Sequence, residues 1–307
     1  MIQQRYYRLA TFAGLAATVT ATLLIIGKLI AWLATGSSSL LASLTDSLMD
    51  VSASLINLLA IRYALIPADD DHKFGHGKAE SLASLAQSAF ITGSALVLIM
   101  HGIGAVADPV PLQRAGIGIW VTVGSLILTL VLVTFQSYVV RVTGSQAVKA
   151  DSLHYRSDLL LNAAVLLALF LSMLGFHMAD GLFAILLGGY ILWSALKIGY
   201  EAIQTLLDRE LPEEECQQIQ DICNSVPGVH GMHDLRTRQS GPVRFIQLHL
   251  ELDDGMPLLQ AHAIADRVEA RLRLAFPIAD IIIHMDPLSV LTQEPSGQAF
   301  DSTRSAP

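Results

Sequence analysis

The stretch from Ala115 to Val140 reads AGIGIWVTVGSLILTLVLVTFQSYVV and contains no charged side chain. Because about 20 helical residues cross the roughly 30 Å hydrocarbon core of a bilayer, this stretch is long enough to span a membrane. Comparably apolar stretches recur along the first two thirds of the chain. The six predicted spans are residues 9–33, 40–62, 80–106, 115–140, 147–173 and 180–201. The sequence therefore predicts an all-α bundle of six transmembrane helices, with both chain ends on the same side of the membrane.

The composition separates this membrane part from a soluble part. Of the 307 residues, 52% are hydrophobic and 15% are charged, and the mean hydropathy is +0.51, whereas about 25% of the residues of soluble proteins are charged. There are 23 charged residues among the first 208 and 23 among the last 99. We therefore expect a transmembrane domain over residues 1–208, a cytoplasmic domain over 209–290 and a disordered, Ser- and Pro-containing tail over 291–307.

The distribution of charge indicates the orientation and the class of partner. Lys and Arg residues flank the helix ends on the side of the termini, while the opposite side offers only Arg114. The positive-inside rule therefore predicts that both termini are cytoplasmic. The net charge of -8 argues against nucleic acid as a partner and favours cations. Cys216 and Cys223 are expected to be reduced, structural thiols.

The soluble part alternates helical and strand patterns. Residues 212–226 and 257–276 have helical character, and strands are expected near 229–238, 243–253 and 278–285. In the second strand, Ile246, Leu248 and Leu250 alternate with polar residues, as in a strand with one buried face. The order αββαβ predicts a small ferredoxin-like α+β domain.

Ionisable residues interrupt two of the predicted spans in a matched pattern. Asp46 and Asp50 are four residues apart in span 2, and His154 and Asp158 are four apart in span 5, so each pair lies on one helical face. At about 1.5 Å per residue, Asp50 lies within about 5 Å of the depth of His154, and Asp46 within about 5 Å of that of Asp158. We expect the four side chains to meet near the middle of the membrane. The alternative is that they are polar pairs that only pack helices together, or residues at the membrane interface.

Such a site would bind either protons or a metal ion. Three carboxylates in a low-dielectric site cannot all stay ionised when the site is empty, so the empty site holds protons. Three carboxylates and an imidazole suit four-coordinate zinc, and the ligands must lose their protons to bind it. This exclusive occupancy predicts a secondary transporter that exchanges zinc for protons.

Two other classes of protein, intramembrane metallohydrolases and metal-sensing receptors, could also carry metal ligands in a helix bundle. An intramembrane metallohydrolase would need an open coordination position and a base, whereas this site offers four protein ligands and the chain has no HExxH motif. A metal-sensing receptor would need no ligands in the middle of the membrane.

The loop between spans 2 and 3 concentrates acids and histidines. From Asp69 to Lys78 it reads DDDHKFGHGK. Asp69, His72 and His76 could supply three ligands to a second metal ion, although a solvated charged loop would have a similar composition.

Histidines also recur on the predicted strands of the soluble part. His284 and Asp286 lie on one face of the third strand, and His249 lies on the polar face of the second. His233 and His262 could complete one or two metal sites, with Asp286 as a bridge. A single such histidine is usually structural, but this set predicts metal binding in the cytoplasmic domain.

Taken together, these stretches resemble the cation diffusion facilitator family, in particular its bacterial YiiP-type zinc/proton antiporters. The resemblance covers nearly the whole chain apart from the tail. It rests on four motifs, which are SLTDS at 43–47 with Asp50, FGHGKAE at 74–80, DSLHYRSD at 151–158 and LLD at 206–208.

The resemblance implies a homodimeric antiporter of the inner membrane rather than an enzyme. It would export cytoplasmic zinc in exchange for protons by alternating access, with cadmium and ferrous iron as further candidate substrates. The family's roles would fall on a transport site (Asp46, Asp50, His154, Asp158), a loop site (Asp69, His72, His76) and a binuclear cytoplasmic site at the dimer interface (His233, His249, His262, His284, Asp286). The resemblance also implies that Lys78 and Asp208 form salt bridges that join the protomers.

Overall fold

The protein consists of two compact units. A computed structural model describes residues 2–35, 38–107, 116–173 and 178–291. One unit covers Gln3–Leu206 and the other begins at Leu207. Apart from its first residue, Leu291, the predicted tail lies outside the described residues.

The first unit is built from long helices. They are α1 (Ile2–Thr35), α2 (Ser38–Ala64), α3 (Lys78–Ala107), α4 (Gly116–Thr143), α5 (Gln146–Met173) and α6 (Ala179–Leu206). All 11 prolines of the sequence lie outside these helices, as expected because an interior proline removes a helical hydrogen bond. The predicted six-helix bundle is confirmed, and most of the helices extend beyond the predicted spans by a few residues.

The composition of these helices suits a lipid environment. Among the described residues, the stretches long and apolar enough to cross a membrane are Tyr6–Ile30, Lys78–Ala107, Val123–Thr143 and Gly181–Leu206. Large apolar side chains such as Leu33, Val97 and Met100 are exposed on the surface of the bundle. The two remaining long helices, α2 and α5, are the ones that carry the paired ionisable residues.

Helix α5 lies at the centre of the unit. Its Ala147 and Val148 belong to an apolar cluster with α1, α2 and α4, whereas Ala150 and Leu153 belong to a second cluster with α3 and α6. The turn before α5 is tight because Gly144 adopts a positive φ of 69°. Ser145 then caps the helix, since its Oγ accepts the Val148 N–H at 3.2 Å. These local signals fix where α5 begins, and therefore the depth of its polar residues.

The second unit has the predicted αββαβ order. Its elements are α7 (Glu213–Asn224), β1 (Gly231–Ser240), β2 (Val243–Leu252), α8 (Leu258–Ala275), β3 (Ala279–Pro287) and the short α9 (Leu288–Leu291). The strand order is β1-β2-β3, with β1 antiparallel and β3 parallel to the central β2. The predicted α+β fold is therefore confirmed.

One face of this sheet is covered by helices and carries the core. Leu248 and Leu250 of β2 are buried against Ile264 and Val268 of α8. Because side chains alternate along a strand, His249 is presented on the opposite face. The helices therefore leave the histidine-bearing face of the sheet uncovered within one chain.

Candidate metal centres

A cluster of ionisable side chains lies inside the helix bundle. His154 Nε2 of α5 is 3.0 Å from Asp50 Oδ1 of α2 and 3.8 Å from Asp158 Oδ2. One candidate ligand atom from each of the three residues lies within 4.8 Å of the other two. The helical rise had placed Asp50 opposite His154, and the structure brings these two side chains into contact.

The surroundings of this cluster hold His154 in place. Its ring lies 5.4 Å from the ring of Tyr155 and 6.3 Å from that of Phe90, measured between centroids. The Tyr155 hydroxyl is 2.7 Å from Ser54 Oγ, which lies one helical turn beyond Asp50 on α2. The same hydroxyl donates to the Ala17 carbonyl of α1 at 3.3 Å. Helices α1, α2 and α5 are thus tied together beside the cluster.

The fourth predicted ligand of the transport site is Asp46. Helix α2 includes it one turn before Asp50, but its side chain lies outside the described residues. The side chain of its neighbour Ser47 is buried and accepts a hydrogen bond from Lys28 Nζ at 2.6 Å.

The loop between α2 and α3 brings together the second predicted set. Asp69 Oδ1 is 3.3 Å from His72 Nδ1, and Asp69 Oδ2 is 3.4 Å from His76 Nε2. The two imidazole rings are 4.5 Å apart. His76 is buried and packs edge-on against Tyr63 at 4.7 Å. An unstructured solvated loop would not bury one of its histidines in this way.

Backbone hydrogen bonds favour the ionised form of the Asp69 carboxylate. The His72 N–H donates to Asp69 Oδ1 at 2.6 Å and the Asp71 N–H donates to the same oxygen at 3.1 Å. The His72 bond is the largest cause that holds the pKa of Asp69 below its ordinary value. The carboxylate is therefore charged and ready to bind a cation at neutral pH.

The third set forms a row of histidines across the sheet of the second unit. His233 pairs with His249 between β1 and β2, and His249 pairs with His284 between β2 and β3. Asp286 lies among them, with Oδ2 at 2.6 Å from His249 Nδ1 and 3.4 Å from His233 Nε2. Its other oxygen, Oδ1, is 3.1 Å from His284 Nε2. An Asp with each oxygen beside a different histidine can bridge two metal ions.

His262 is not brought into this row within one chain. It lies on α8, and its Nε2 is 3.6 Å from Asp266 Oδ2. Helix α8 packs on the face of the sheet opposite to His249, so the sheet separates the two elements. A role for His262 in the cytoplasmic site remains a prediction, and it would require a second copy of the chain.

Two acidic residues near the row were not among the predicted ligands. Glu251 Oε1 is 3.1 Å from His233 Nδ1, and Asp234 Oδ2 is 3.8 Å from His249 Nε2. Glu251 follows His249 by two residues, so strand alternation already placed it on the same face. No sequence pattern predicted the position of Asp234. It lies at an irregularity in the β1–β2 pairing, between His233 and Arg236, where strand alternation does not apply.

The remaining predicted residues have contacts within their own units. Lys78 Nζ donates to the Leu206 carbonyl at 3.2 Å, and Asp208 Oδ1 lies 3.5 Å from Arg238 Nη1. The implied salt bridges between protomers remain a prediction. Both cysteines are free and buried, and burial raises the pKa of Cys223 to about 12. The Cys223 thiol therefore stays protonated at neutral pH and does not present the thiolate that would bind a metal ion.

Comparisons with known proteins agree with this arrangement. Residues 14–207 match the family model of the cation efflux transmembrane domain, and residues 211–288 match that of the cation efflux protein cytoplasmic domain. The chain is 60% identical over 290 residues to the cation-efflux pump FieF of Yersinia enterocolitica, covering 94% of this chain and 97% of that protein. It is 58% identical over 300 residues to FieF of Citrobacter koseri, covering 98% and 99%.

Solved structures also show similarity. CzrB in its zinc form is 33% identical, covering 27% of this chain and 94% of the CzrB chain, with a TM-score of 0.26. The family assignment rests on the two domain matches and on the full-length relatives. The chain therefore belongs to the cation diffusion facilitator family, and it is a membrane transporter for cation efflux rather than an enzyme.

Proposed function

We propose that this protein is a zinc/proton antiporter that exports Zn²⁺ from the cytoplasm by alternating access, with Cd²⁺ and Fe²⁺ as further substrates. The observation that carries the proposal is the cluster of Asp50, His154 and Asp158 inside the helix bundle. Ionisable groups inside a membrane are costly and are retained for ion pathways.

The ligand set supports a divalent metal ion as the substrate. Two carboxylates and an imidazole are ligands that Zn²⁺ accepts, and Asp46 would complete a tetrahedral set. The same ligands accept several divalent cations, so geometry rather than ligand type would select among them. The relatives named as cation-efflux pumps support export as the direction of transport.

Exchange for protons follows from the chemistry of these ligands. Zn²⁺ binds the ionised carboxylates and the neutral imidazole, so each bound ion excludes protons from the same atoms. Zinc would load from the cytoplasm and protons from the other side would displace it. We place the protein in the inner membrane with both termini in the cytoplasm.

Transport by sealed vesicles tests this proposal. Proteoliposomes that contain the wild-type protein should take up zinc when a pH gradient is imposed. Asp50→Ala should reduce the rate below about a tenth, because the substrate site loses one of its ligands. Uptake measured with a zinc-sensitive dye gives the rate directly.

Glu201→Gln is a matched control for this experiment. Glu201 is a carboxylate of α6 that pairs with Lys149 outside the metal cluster, and its variant should transport at nearly the wild-type rate. Wild-type uptake by Asp50→Ala would refute the assignment of the transport site. A wild-type protein that binds zinc without moving it into vesicles would indicate a receptor instead.

The other two clusters would bind resident metal ions. His233, His249, His284 and Asp286 present imidazoles and a bridging carboxylate, which suits zinc, and Asp69, His72 and His76 leave room for water as a further ligand. We propose that the protein is a homodimer, with the histidine row at the interface and His262 contributed there. Lys78 and Asp208 would join the protomers near the membrane surface.

A further inference from the structure

Three polar contacts connect α3 to the beginning of α5, between the first residues of these helices and the metal cluster. The Ser81 hydroxyl donates to Gln146 Oε1 at 2.8 Å, and Gln87 Nε2 donates to Asp151 Oδ1 at 3.2 Å. The paired residues are 64 or 65 positions apart in the sequence, so the two helices run side by side in the same direction. We call these contacts the polar ladder; its pairs are Glu80 and Ser145, Ser81 and Gln146, and Gln87 and Asp151.

Asp151 is the most deeply placed acid of the polar ladder. It is 1% exposed, and its second oxygen accepts a hydrogen bond from Gln136 Nε2 of α4 at 2.6 Å. Gln87 and Gln136, which donate to its two oxygens, are neutral amides. Asp151 precedes His154 by three residues, so the two side chains lie on the same side of α5, about one turn apart. An acid in this position can exchange protons with the cluster.

Four buried polar atoms have no hydrogen-bond partner among the described residues. They are Asn57 Oδ1, Ser84 Oγ, Gln136 Oε1 and Ser152 Oγ. Of these residues, Ser84 lies between Ser81 and Gln87 on α3, and Gln136 of α4 is the residue that donates to Asp151. Buried polar atoms in proteins are as a rule satisfied, by ordered water where no protein group reaches them. The polar ladder is therefore suited to hold water.

At the level of the metal cluster, α3 contacts α5 through an aromatic side chain. The next contact between α3 and α5 is the one between Phe90 and His154, with the same separation of 64 residues. An aromatic ring thus follows the serines, glutamines and acids of the preceding turns. Among the described residues, the polar ladder leads from the end of the bundle where α3 and α5 begin to His154.

We propose that the polar ladder conducts protons between the metal cluster and the end of the bundle where α3 and α5 begin, with Asp151 as the intermediate acceptor and donor. The inference rests on the proposed zinc/proton exchange. When zinc binds, an N–H bond of His154 or an O–H bond of a protonated Asp50 or Asp158 breaks, and the released proton forms an O–H bond with the Asp151 carboxylate. That bond breaks as the proton passes to water along Ser84 and Glu80, and Asp151 is ionised again.

The charged groups around Asp151 are consistent with this role. His154 and Tyr155 on its own helix and Asp50 on α2 are within electrostatic range of Asp151; the Tyr155 hydroxyl is hydrogen-bonded to Ser54 and to the Ala17 carbonyl. Helices α3 and α4 present the amides of Gln87 and Gln136, and the acid of α6, Glu201, is paired with Lys149. His154 and Asp50 are thus the groups with which Asp151 would exchange a proton.

Asp151→Asn and Asp151→Glu test the proposal in proteoliposomes. Asparagine keeps the shape and removes the proton carrier, so zinc affinity in detergent should stay near the wild-type value while pH-driven uptake falls roughly tenfold or more. Glutamate keeps the acid but adds a methylene group, and it should transport faster than Asp151→Asn. A purely structural role predicts the reverse order, because the isosteric variant would disturb the packing least.

Two serines of α3 provide a matched pair. Ser84 Oγ has no partner among the described residues, whereas Ser88 Oγ donates to the Leu85 carbonyl of its own helix at 2.8 Å. Ser84→Ala should slow pH-driven uptake by about threefold, because a group that orders water is lost. Ser88→Ala should leave the rate unchanged. This pair decides the question if Asp151→Asn does not fold.

The outcomes separate this inference from the proposed function. Absence of pH-driven uptake by the wild-type protein would refute the zinc/proton exchange, and the proton route with it. Uptake by the wild-type protein together with undiminished uptake and an unchanged pH profile in Asp151→Asn would refute the proton route alone. Equal rates for Ser84→Ala and Ser88→Ala would also overturn it.

Discussion

At His233, both ring nitrogens face carboxylates. Nε2 is 3.4 Å from Asp286 Oδ2 and Nδ1 is 3.1 Å from Glu251 Oε1. A histidine that binds metal through one nitrogen commonly donates its other N–H to a carboxylate, which fixes the ring and its tautomer. Glu251 would therefore orient His233 without touching the metal ion.

Replacement of Glu251 tests this role. Glu251→Ala should weaken zinc binding at the cytoplasmic site by about tenfold or more, as for other residues that orient a metal ligand. Calorimetric titration in an Asp50→Ala background isolates this site from the transport site. Glu269→Ala is the control, because Glu269 pairs with Arg273 on α8 and should leave the affinity unchanged. Equal affinities in both variants would contradict the prediction.

Individual residues differ in how well the sequence locates them. The contact between Asp50 and His154 follows from a fixed helical rise, and the common face of His249, Glu251 and Asp286 follows from strand alternation. The partners of Asp151 could not be predicted in this way. Its amide donors come from α3 and α4, and only tertiary packing brings them to α5.

Among the helix pairs, α3 and α6 approach most closely through their glycines. A Cβ atom on Gly102 would lie 2.8 Å from the Gly181 carbonyl oxygen, and one on Gly181 would lie 2.7 Å from the Gly102 oxygen. Small residues at such crossings are the usual means by which membrane helices pack. The sequence showed many glycines in the spans, but it could not show which of them face a neighbouring backbone.

Alanine substitution distinguishes these glycines. Gly102→Ala should force α3 and α6 apart and lower stability by about 1–3 kcal/mol, as for other overpacked sites. Gly104→Ala is the matched control two residues further along α3, since nothing lies within 4 Å of its Cβ position. It should be neutral or stabilising by up to about 1 kcal/mol, because alanine favours the helix. Thermal unfolding in detergent measures both, and an equal stability of the two variants would show that the crossing is not tight.

At the scale of the whole molecule, the described clusters of candidate metal ligands are divided between two units that fold around separate cores. The apolar cluster of the second unit contains only residues of α7, α8, the strands and their connections. The cluster of Asp50, His154 and Asp158 depends on α2 and α5 of the first unit. The boundary at Leu207 agrees with the change in charge density along the sequence. Charge density can be counted from the composition alone, without knowing how the helices pack. The proposed assembly of two chains, in contrast, would depend on surfaces that no pattern within one chain reveals.

Because each cluster is built from residues of a single unit, loss of metal from one unit should leave the other able to bind. His249→Ala should remove the metal of the cytoplasmic site and weaken the dimer, while zinc still binds at Asp50, His154 and Asp158. Asp158→Ala should have the converse effect, and the double variant should show the sum of the two losses, as expected for independent sites. Mass spectrometry gives the metal content of each variant, and light scattering gives the dimer content of the same samples. If His249→Ala also emptied the transport site, the two units could not be independent, and the cytoplasmic histidines would have to control how the helix bundle receives its substrate.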